Sequence, residues 1–328
     1  MLRKIDWESQ IGKRLRLRDL HVLTCVAELG SMAKAAQRLG VSQPAVSEVI
    51  ADLEHALGVR LFDRKPRGVE PTIYGSAVVK RSLAAFDELK QSIRDIEFLS
   101  DPAAGTLLIG CPESISVGML QPIVERFSRQ YPRVVIDVDT VNTFSFFQQL
   151  EERKLDVVLA RGALPLEDPK LRNELHLETV FNDELVVAVG QKSRWAKRSK
   201  VDIAELRNER WVLTSNDSWN YRVLAEAFRS RGLDMPEISM RTLSVHIRAN
   251  MIASGALVTT FPASVLIDYV GRSTIKVLPI ALPNRAWPVV MVTLKERTLS
   301  PVVDRFMQCV REIAKSYAKP KRRLGSGA

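Results

Sequence analysis

Residues 42–48, Ser42-Gln43-Pro44-Ala45-Val46-Ser47-Glu48, gather short polar side chains at the start of a helical pattern. Hydroxyl, amide and carboxylate groups placed there can reach base edges. The N–H groups of a first helical turn can take a phosphate oxygen. Ser42 is an N-cap by type, and Pro44 falls in the first turn, where a missing N–H costs nothing. Val46, Ile50, Leu53 and Leu57 make the apolar face, which leaves Ser42, Gln43, Ala45, Ser47 and Glu48 on the free faces. Ser31 and Lys34 stand at the start of the preceding helical pattern. Arg64, Lys65 and Arg67 crowd a tip that also carries the turn residues Pro66 and Gly68, a set suited to a phosphate backbone or a minor groove.

A second group of polar residues sits where strand-like runs end. Cys111-Pro112-Glu113-Ser114-Ile115-Ser116, Asn142-Thr143 and Thr242-Leu243-Ser244 each lie between a strand pattern and a helix pattern. Ser114, Ser116 and Thr143 serve there either as plain N-caps or as hydroxyls that meet a small ligand. Arg161 ends a strand and either pairs with a ligand carboxylate or phosphate or joins a surface ion pair. Trp219 follows a polar loop, where it either stacks on a ligand ring or packs beneath the loop.

Other chemistry finds no support. His21, His55, His176 and His246 show no metal-ligand spacing with one another or with Cys25, Cys111 and Cys309, so no metal and no cofactor is expected. Cys111 has no resolving cysteine nearby, which favours a small buried residue over a redox switch. No phosphate-binding glycine loop and no nucleophile elbow occurs, and carboxylates such as Glu113 and Asp137 make no acid–base pair, so an enzyme is not expected.

The elements that must position these groups divide the chain. Leu17, Leu20, Leu23, Val26 and Ala27 repeat at helical spacing up to Gly30, a short helix follows over 32–39, and a third runs to Leu57. A hairpin-like segment covers 61–71. A helix over 73–99 then carries Val78, Leu83, Phe86, Leu89, Ile93 and Ile96 at three- and four-residue steps. At 1.5 Å per residue it is ~40 Å long, and such a strip usually pairs with another helix. Beyond 100–105, strand patterns (106–110, 134–141, 157–161, 185–190, 211–215, 238–243, 256–261, 275–280, 288–294) alternate with helical ones, which predicts an α/β body with a largely parallel sheet.

The 328 residues, 46% hydrophobic and 26% charged, suit two or three globular cores. No apolar run would span a bilayer, the N-terminal residues lack a secretory apolar stretch, and three scattered cysteines fit a reducing compartment; a cytoplasmic protein is expected. The net charge of +10 is +5 over residues 1–81, zero over 82–314 and +5 over 315–328. A basic end on a neutral body suits one module that touches a polyanion and another that does not.

Specific residues carry a family resemblance. Leu20-x-x-Leu23-x-x-Val26, the run from Gly30 to Ser47, Leu53-Glu54-x-x-Leu57-Gly58-x-x-Leu61-Phe62-Asp63-Arg64 and Thr72-x-x-Gly75 resemble the DNA-binding domain of LysR-type transcriptional regulators. Pro71 and Tyr74 depart from the usual aliphatic residue and alanine. Leu107-Leu108-Ile109-Gly110, Phe127-x-x-x-Tyr131-Pro132-x-Val134, Leu155-Asp156-Val157-Val158 and Ala253-Ser254-Gly255-Ala256 are similar to the family's second domain. Within the family, the chain looks most like regulators of galactose-binding-protein and aromatic-acid genes.

The resemblance implies a winged helix-turn-helix over residues 1–75, a linker and dimerisation helix over 76–100, and an effector-binding module over 101–328. That module would resemble periplasmic binding proteins, with one subdomain at about 105–161 plus 268–318, a second at about 162–267, and a basic tail at 319–328 that reads as disordered. A small inducer, sugar or organic acid, would sit in the cleft near Ser114, Ser116, Thr143, Arg161 and Trp219. The partners implied are an operator, RNA polymerase and further copies of the chain, as homodimer or homotetramer, with Phe86 and Leu89 in the dimer contact. The alternatives are a redox-responsive regulator using Cys111 and a DNA-binding protein without an inducer.

Overall fold

Leu20, Leu23 and Val26 recur at three-residue steps, so one side of α1 (Leu17–Leu29) is apolar and buried. Ser31 caps α2 (Met32–Leu39), Ser42 caps α3 (Gln43–Leu57), and left-handed glycines at 30, 40 and 58 end the three helices. Ala35 and Ala36 are small enough to let α2 lie close against Val46, Ile50 and Leu53 of α3. A computed structural model describes residues 15–66, 68–101, 104–140, 143–162, 173–267, 273–283 and 286–318.

β1 (Phe62–Lys65) and β2 (Gly68–Pro71) pair antiparallel, with Phe62 opposite Pro71 and Lys65 opposite Gly68. The residues around them explain the sequence pattern. Glu54 Oε1 accepts the backbone N–H groups of Leu61 (2.6 Å) and Phe62 (3.2 Å). The Thr72 hydroxyl donates to the Arg60 carbonyl (2.7 Å) and accepts from the Gly75 N–H (3.0 Å). A Cβ at position 75 would stand 2.0 Å from the Leu61 carbonyl oxygen, so only glycine lets α4 (Ile73–Ser100) start this close to the wing.

The apolar strip of α4 splits along its length. Val78, Val79 and Phe86 pack against the α1–α3 core, and His21 meets the Phe86 ring edge-on at 6.0 Å. Leu89, Ile93, Ile96 and Leu99 are exposed. Phe86 thus packs, partly buried, on the helical core, while Leu89 stands in the uncovered strip. The chain divides into two compact units within α4: residues up to Ile93 with Glu151–Arg153, and the remainder from Arg94.

The second unit is a mixed sheet covered by helices. β3 (Ala104–Gly110) leads through the turn Glu113–Ile115 and a π-helical turn, Ser116–Leu120, into α5 (Gln121–Gln130). β4 (Arg133–Asp139), α6 (Thr143–Glu151), β5 (Val157–Arg161) and β6 (Leu175–Gly190) follow. Then come β7 (Arg210–Leu213), α7 (Trp219–Arg229), β8 (Ile238–Arg241), α8 (Val245–Ala253), β9 (Leu257–Pro262), β10 (Ile275–Val277), β11 (Ala286–Leu294) and α9 (Pro301–Ala318). The strand order is β4-β3-β5-β11-β6-β9-β7-β8, with β10 also on β6.

The two ends of the sheet are parallel, as the alternating pattern predicts, but the middle is antiparallel: β11 runs against β5 and β6, and β6 against β9 and β10. The long crossing strand is the reason. β6 covers 16 residues, ten more than its apolar run suggested, because its first ten residues mix polar and charged residues with apolar ones. Leu175–Glu184 pairs with β11 in one half, and Leu185–Gly190 pairs with β9 and β10 in the other.

Both faces of each half are covered, so central strands such as β5 are apolar up to their last residue, Arg161. In the first half Leu107, Phe127, Leu159 and Phe306 fill one face, and Phe146, Leu150 and Val158 the other. In the second, Trp211, Leu224 and Phe228 fill one face, and Ala249, Ile252 and Phe261 the other. Ile275, Leu278 and Leu282 also pack in the second half, whereas the sequence reading places everything after 268 in the first. Among the described residues no helix is long and apolar enough to cross a membrane.

Candidate nucleic-acid interface and ligand junction

Packing of Val46, Ile50 and Leu53 turns the opposite face of α3 outward, and Gln43, Pro44 and Glu48 are exposed on it. Ser42 Oγ accepts the Ala45 N–H at 3.4 Å, and Pro44 has no N–H. The N–H of Gln43 is thus the first-turn donor left for a phosphate. Ser47 is half-buried, and its hydroxyl meets the Met32 sulfur (3.3 Å), a contact that ties α3 to α2. Ser31 accepts the Lys34 N–H at 3.4 Å, and the Lys34 side chain is exposed. On the wing Lys65 pairs with Glu70 at 3.5 Å, while Arg64 is exposed and pairs with no acid among the described residues. Arg67 lies outside the described residues.

In the α/β unit the polar groups at the strand ends converge where the two halves meet. Arg161, at the end of β5, pairs with Asp183 of β6 and donates from Nη2 to Ser264 Oγ (2.8 Å). Its Nε donates to Ser114 Oγ (3.2 Å) and its Nη2 also to the Ser114 carbonyl (3.2 Å). Asp183 further accepts from Ser264 Oγ (2.6 Å), Ser264 N (3.1 Å) and Glu184 N (2.9 Å). Both members of the pair are nearly inaccessible, with side-chain exposures of 12% and 5%. The charge of Arg161 is balanced by Asp183 within the protein. Ser114 is likewise engaged with Arg161.

Ser116 is half-buried in the π-helical turn, and the Thr143 side chain and Asn142 lie outside the described residues. Trp219 stacks on Trp287 with ring centroids 4.2 Å apart and 39° between planes, so it packs against protein. Gly162 (φ 88°) makes room for Trp287: a Cβ there would fall 1.7 Å from the indole nitrogen. Burial, with Asp139 nearby, pushes the Cys111 thiol up to about 12, which keeps it protonated and unreactive at neutral pH.

Two side chains at this junction escaped sequence reasoning. Glu113 Oε1 accepts the Ser244 hydroxyl (3.1 Å) and the His246 N–H (3.4 Å), so a carboxylate from the first half sits on the first turn of α8 in the second. Arg248 is buried on the face of α8 that also carries Val245, Ala249 and Ile252. Its Nη1 donates to the Thr260 carbonyl (2.6 Å), its Nε to the Ser244 carbonyl (3.4 Å), and the guanidinium lies 4.8 Å from the Phe261 ring centre. The available signal was an arginine inside an apolar helical stripe.

Comparison with known proteins places both modules. Residues 17–76 match the model described as bacterial regulatory helix-turn-helix protein, lysR family, and residues 100–315 match the LysR substrate binding domain. The transcriptional regulator TdcA of Escherichia coli (strain K12) is 28% identical over 277 residues, 83% of this chain and 86% of that protein. The regulator GbpR of Azospirillum brasilense is 25% identical over 312 residues, 95% and 90% of the two chains. Among solved structures, a full-length OxyR variant from Pseudomonas aeruginosa superposes with a TM-score of 0.66 at 20% identity, covering 94% of this chain and 99% of that one. Full-length CbnR complexed with its target DNA gives 0.60 at 22% identity, covering 91% and 100%.

Proposed function

The chain belongs to the LysR family of bacterial regulatory helix-turn-helix proteins and is a DNA-binding transcriptional regulator, not an enzyme; on that premise we propose that a small molecule held at the junction of its α/β unit switches operator binding. The polar contact of Glu113 with Ser244 and His246, which links one half of the sheet to the other, carries this reading. A ligand entering there must change how the halves are held, and a ligand that binds one arrangement better shifts the population toward it.

In this reading residues 1–75 grip the operator, residues 76–100 join copies of the chain, and residues 101–328 bind the effector. Gln43 and Glu48 read base edges from α3, and Arg64 holds the backbone from the wing. The exposed row Leu89, Ile93, Ile96 and Leu99 on α4 pairs with the same row of a second copy in a homodimer, itself half of a tetramer. Movement at the junction then alters the spacing of the α3 helices on DNA, and with it access for RNA polymerase.

Native mass spectrometry of the purified full chain identifies a retained small molecule, and operator titrations with and without that molecule test the switch. The expected outcome is a ligand of discrete mass whose removal changes operator affinity. Operator affinity that never responds to a molecule bound at the junction would overturn the reading.

A further inference from the structure

We propose that the Glu113 carboxylate is a tethered occupant of a carboxylate site formed by the first turn of α8 and the Arg248 guanidinium, and that the effector is an organic anion whose carboxylate displaces it. The inference rests on the effector reading above and names its ligand class.

The site has two parts. The first is the start of α8, a nine-residue helix, where Ser244 offers its hydroxyl and His246 its N–H to the same carboxylate oxygen. The second is Arg248, one turn further on and 1% exposed. Its two hydrogen bonds go to backbone carbonyls, neither of which cancels its charge; no carboxylate forms an ion pair with it, and Nη2 makes no hydrogen bond among the described residues. A buried cation in this condition is costly unless an anion stands near. Burial lowers its pKa to about 10, and Glu113 is the acid that pulls it back upward.

The charges at the junction point to one ligand class. Arg161 is cancelled by Asp183, so Arg248 is the buried cation at the junction with no paired acid. Glu113 is only half-buried and forms no salt bridge, so its side chain can leave for solvent. When it leaves, the guanidinium loses the one acid that acts on it. Departure is therefore favourable only if another anion arrives. A neutral sugar meets the hydroxyl and N–H donors but leaves Arg248 uncompensated. A carboxylate replaces Glu113 charge for charge, and because Glu113 ties one half of the sheet to the other, the exchange releases that tie.

Chemical rescue tests this in the full-length protein with acetate as the probe. Glu113→Ala empties the site, and its melting temperature should fall below that of the wild type. Acetate should restore it, whereas acetamide at equal concentration and ionic strength should not. The acetate-minus-acetamide shift in melting temperature should be at least about threefold larger than in wild type, because no tethered carboxylate competes. Arg248→Met in the Glu113→Ala background should abolish the difference. If Glu113→Ala does not fold, Glu113→Gln carries the test, since it keeps the accepting oxygen and loses only the charge; it too should show a larger acetate-specific shift than wild type.

Equal responses of wild type and variant to acetate, or equal responses to acetate and acetamide, would overturn the proposal. Rescue by inorganic phosphate but not acetate would overturn the assignment to carboxylates. A neutral molecule found at the junction that changes operator affinity would sink this inference and leave the effector reading standing. Acetate rescue with an operator affinity that answers to no carboxylate would leave the carboxylate site standing and overturn its assignment to the effector.

Discussion

The two modules use their polar residues in opposite ways. On α3 and the wing, Gln43, Glu48 and Arg64 are exposed, while the motif residues beside them, Glu54, Thr72 and Gly75, bind or clear backbone and build the frame. At the junction of the α/β unit, Ser114, Arg161, Asp183 and Ser264 satisfy one another, and Arg248 is buried with no ion pair among the described residues. A surface that meets a large rigid polyanion must keep its donors outward before binding. A pocket that closes on a small molecule can hold its polar groups in internal partnerships and exchange one of them.

The largest effect that can break this contrast is Arg161→Ala. It strands Asp183 without its cation, so a loss of about 3–5 kcal/mol is expected, seen as a fall of roughly 10 °C in melting temperature for a domain of this size. A ligand-binding arginine would instead leave melting intact and weaken effector binding. Next is Glu54→Ala, which orphans two N–H groups and should cost about 1.5–3 kcal/mol, detectable as faster hydrogen exchange at Leu61 and Phe62. Glu54→Gln keeps the acceptor and should lose less.

Gln43→Ala should leave melting unchanged and cost about 1–3 kcal/mol at the operator, with little change on random DNA. Ser47→Ala should change operator binding by no more than about 0.5 kcal/mol, since its hydroxyl faces Met32. Arg64→Ala should weaken binding to all DNA and reduce the salt slope by about 1.

A further small effect concerns Glu178, which Arg311 of α9 grips through two hydrogen bonds (2.7 and 2.8 Å). That grip holds the carboxyl below its ordinary range. A depressed folded-state pKa means the stabilisation is present above the unfolded value of about 4.3 and is lost as pH falls through the folded one. The pair is partly exposed, so Glu178→Gln should cost no more than about 1 kcal/mol at pH 7 and should flatten the acid limb of the stability profile.

Legibility in the sequence followed the same divide. Every element of the helix-turn-helix was visible, because helix caps, glycine stops and a 3.6-residue period are local signals. The candidate DNA contacts followed from which face the core left free, while the contact of the Ser47 hydroxyl with Met32 joins two helices and has no local signal. In the α/β unit most strands and helices were legible, but the first ten residues of β6 were not, since Glu178 and the charged pair Asp183–Glu184 interrupt its apolar run. The junction was least legible. The pairing of Arg161 with Asp183, or of Glu113 with Ser244, joins residues 22 and 131 positions apart and has no local signature.

β6 also bears on how the chain is made. Its partners β9 and β11 begin at Leu257 and Ala286, so the strand leaves the ribosome well before either exists. At about 5–20 residues per second it waits several seconds with its ladder open. The segment Leu185-Val186-Val187-Ala188-Val189-Gly190 is apolar throughout and, once folded, almost wholly buried. During that interval it is an unpaired edge of the kind that joins other chains. The helical module, whose contacts are local, can already be folded by then, which leaves the crossing strand as the step at which synthesis of this protein is most exposed to aggregation and most in need of a chaperone.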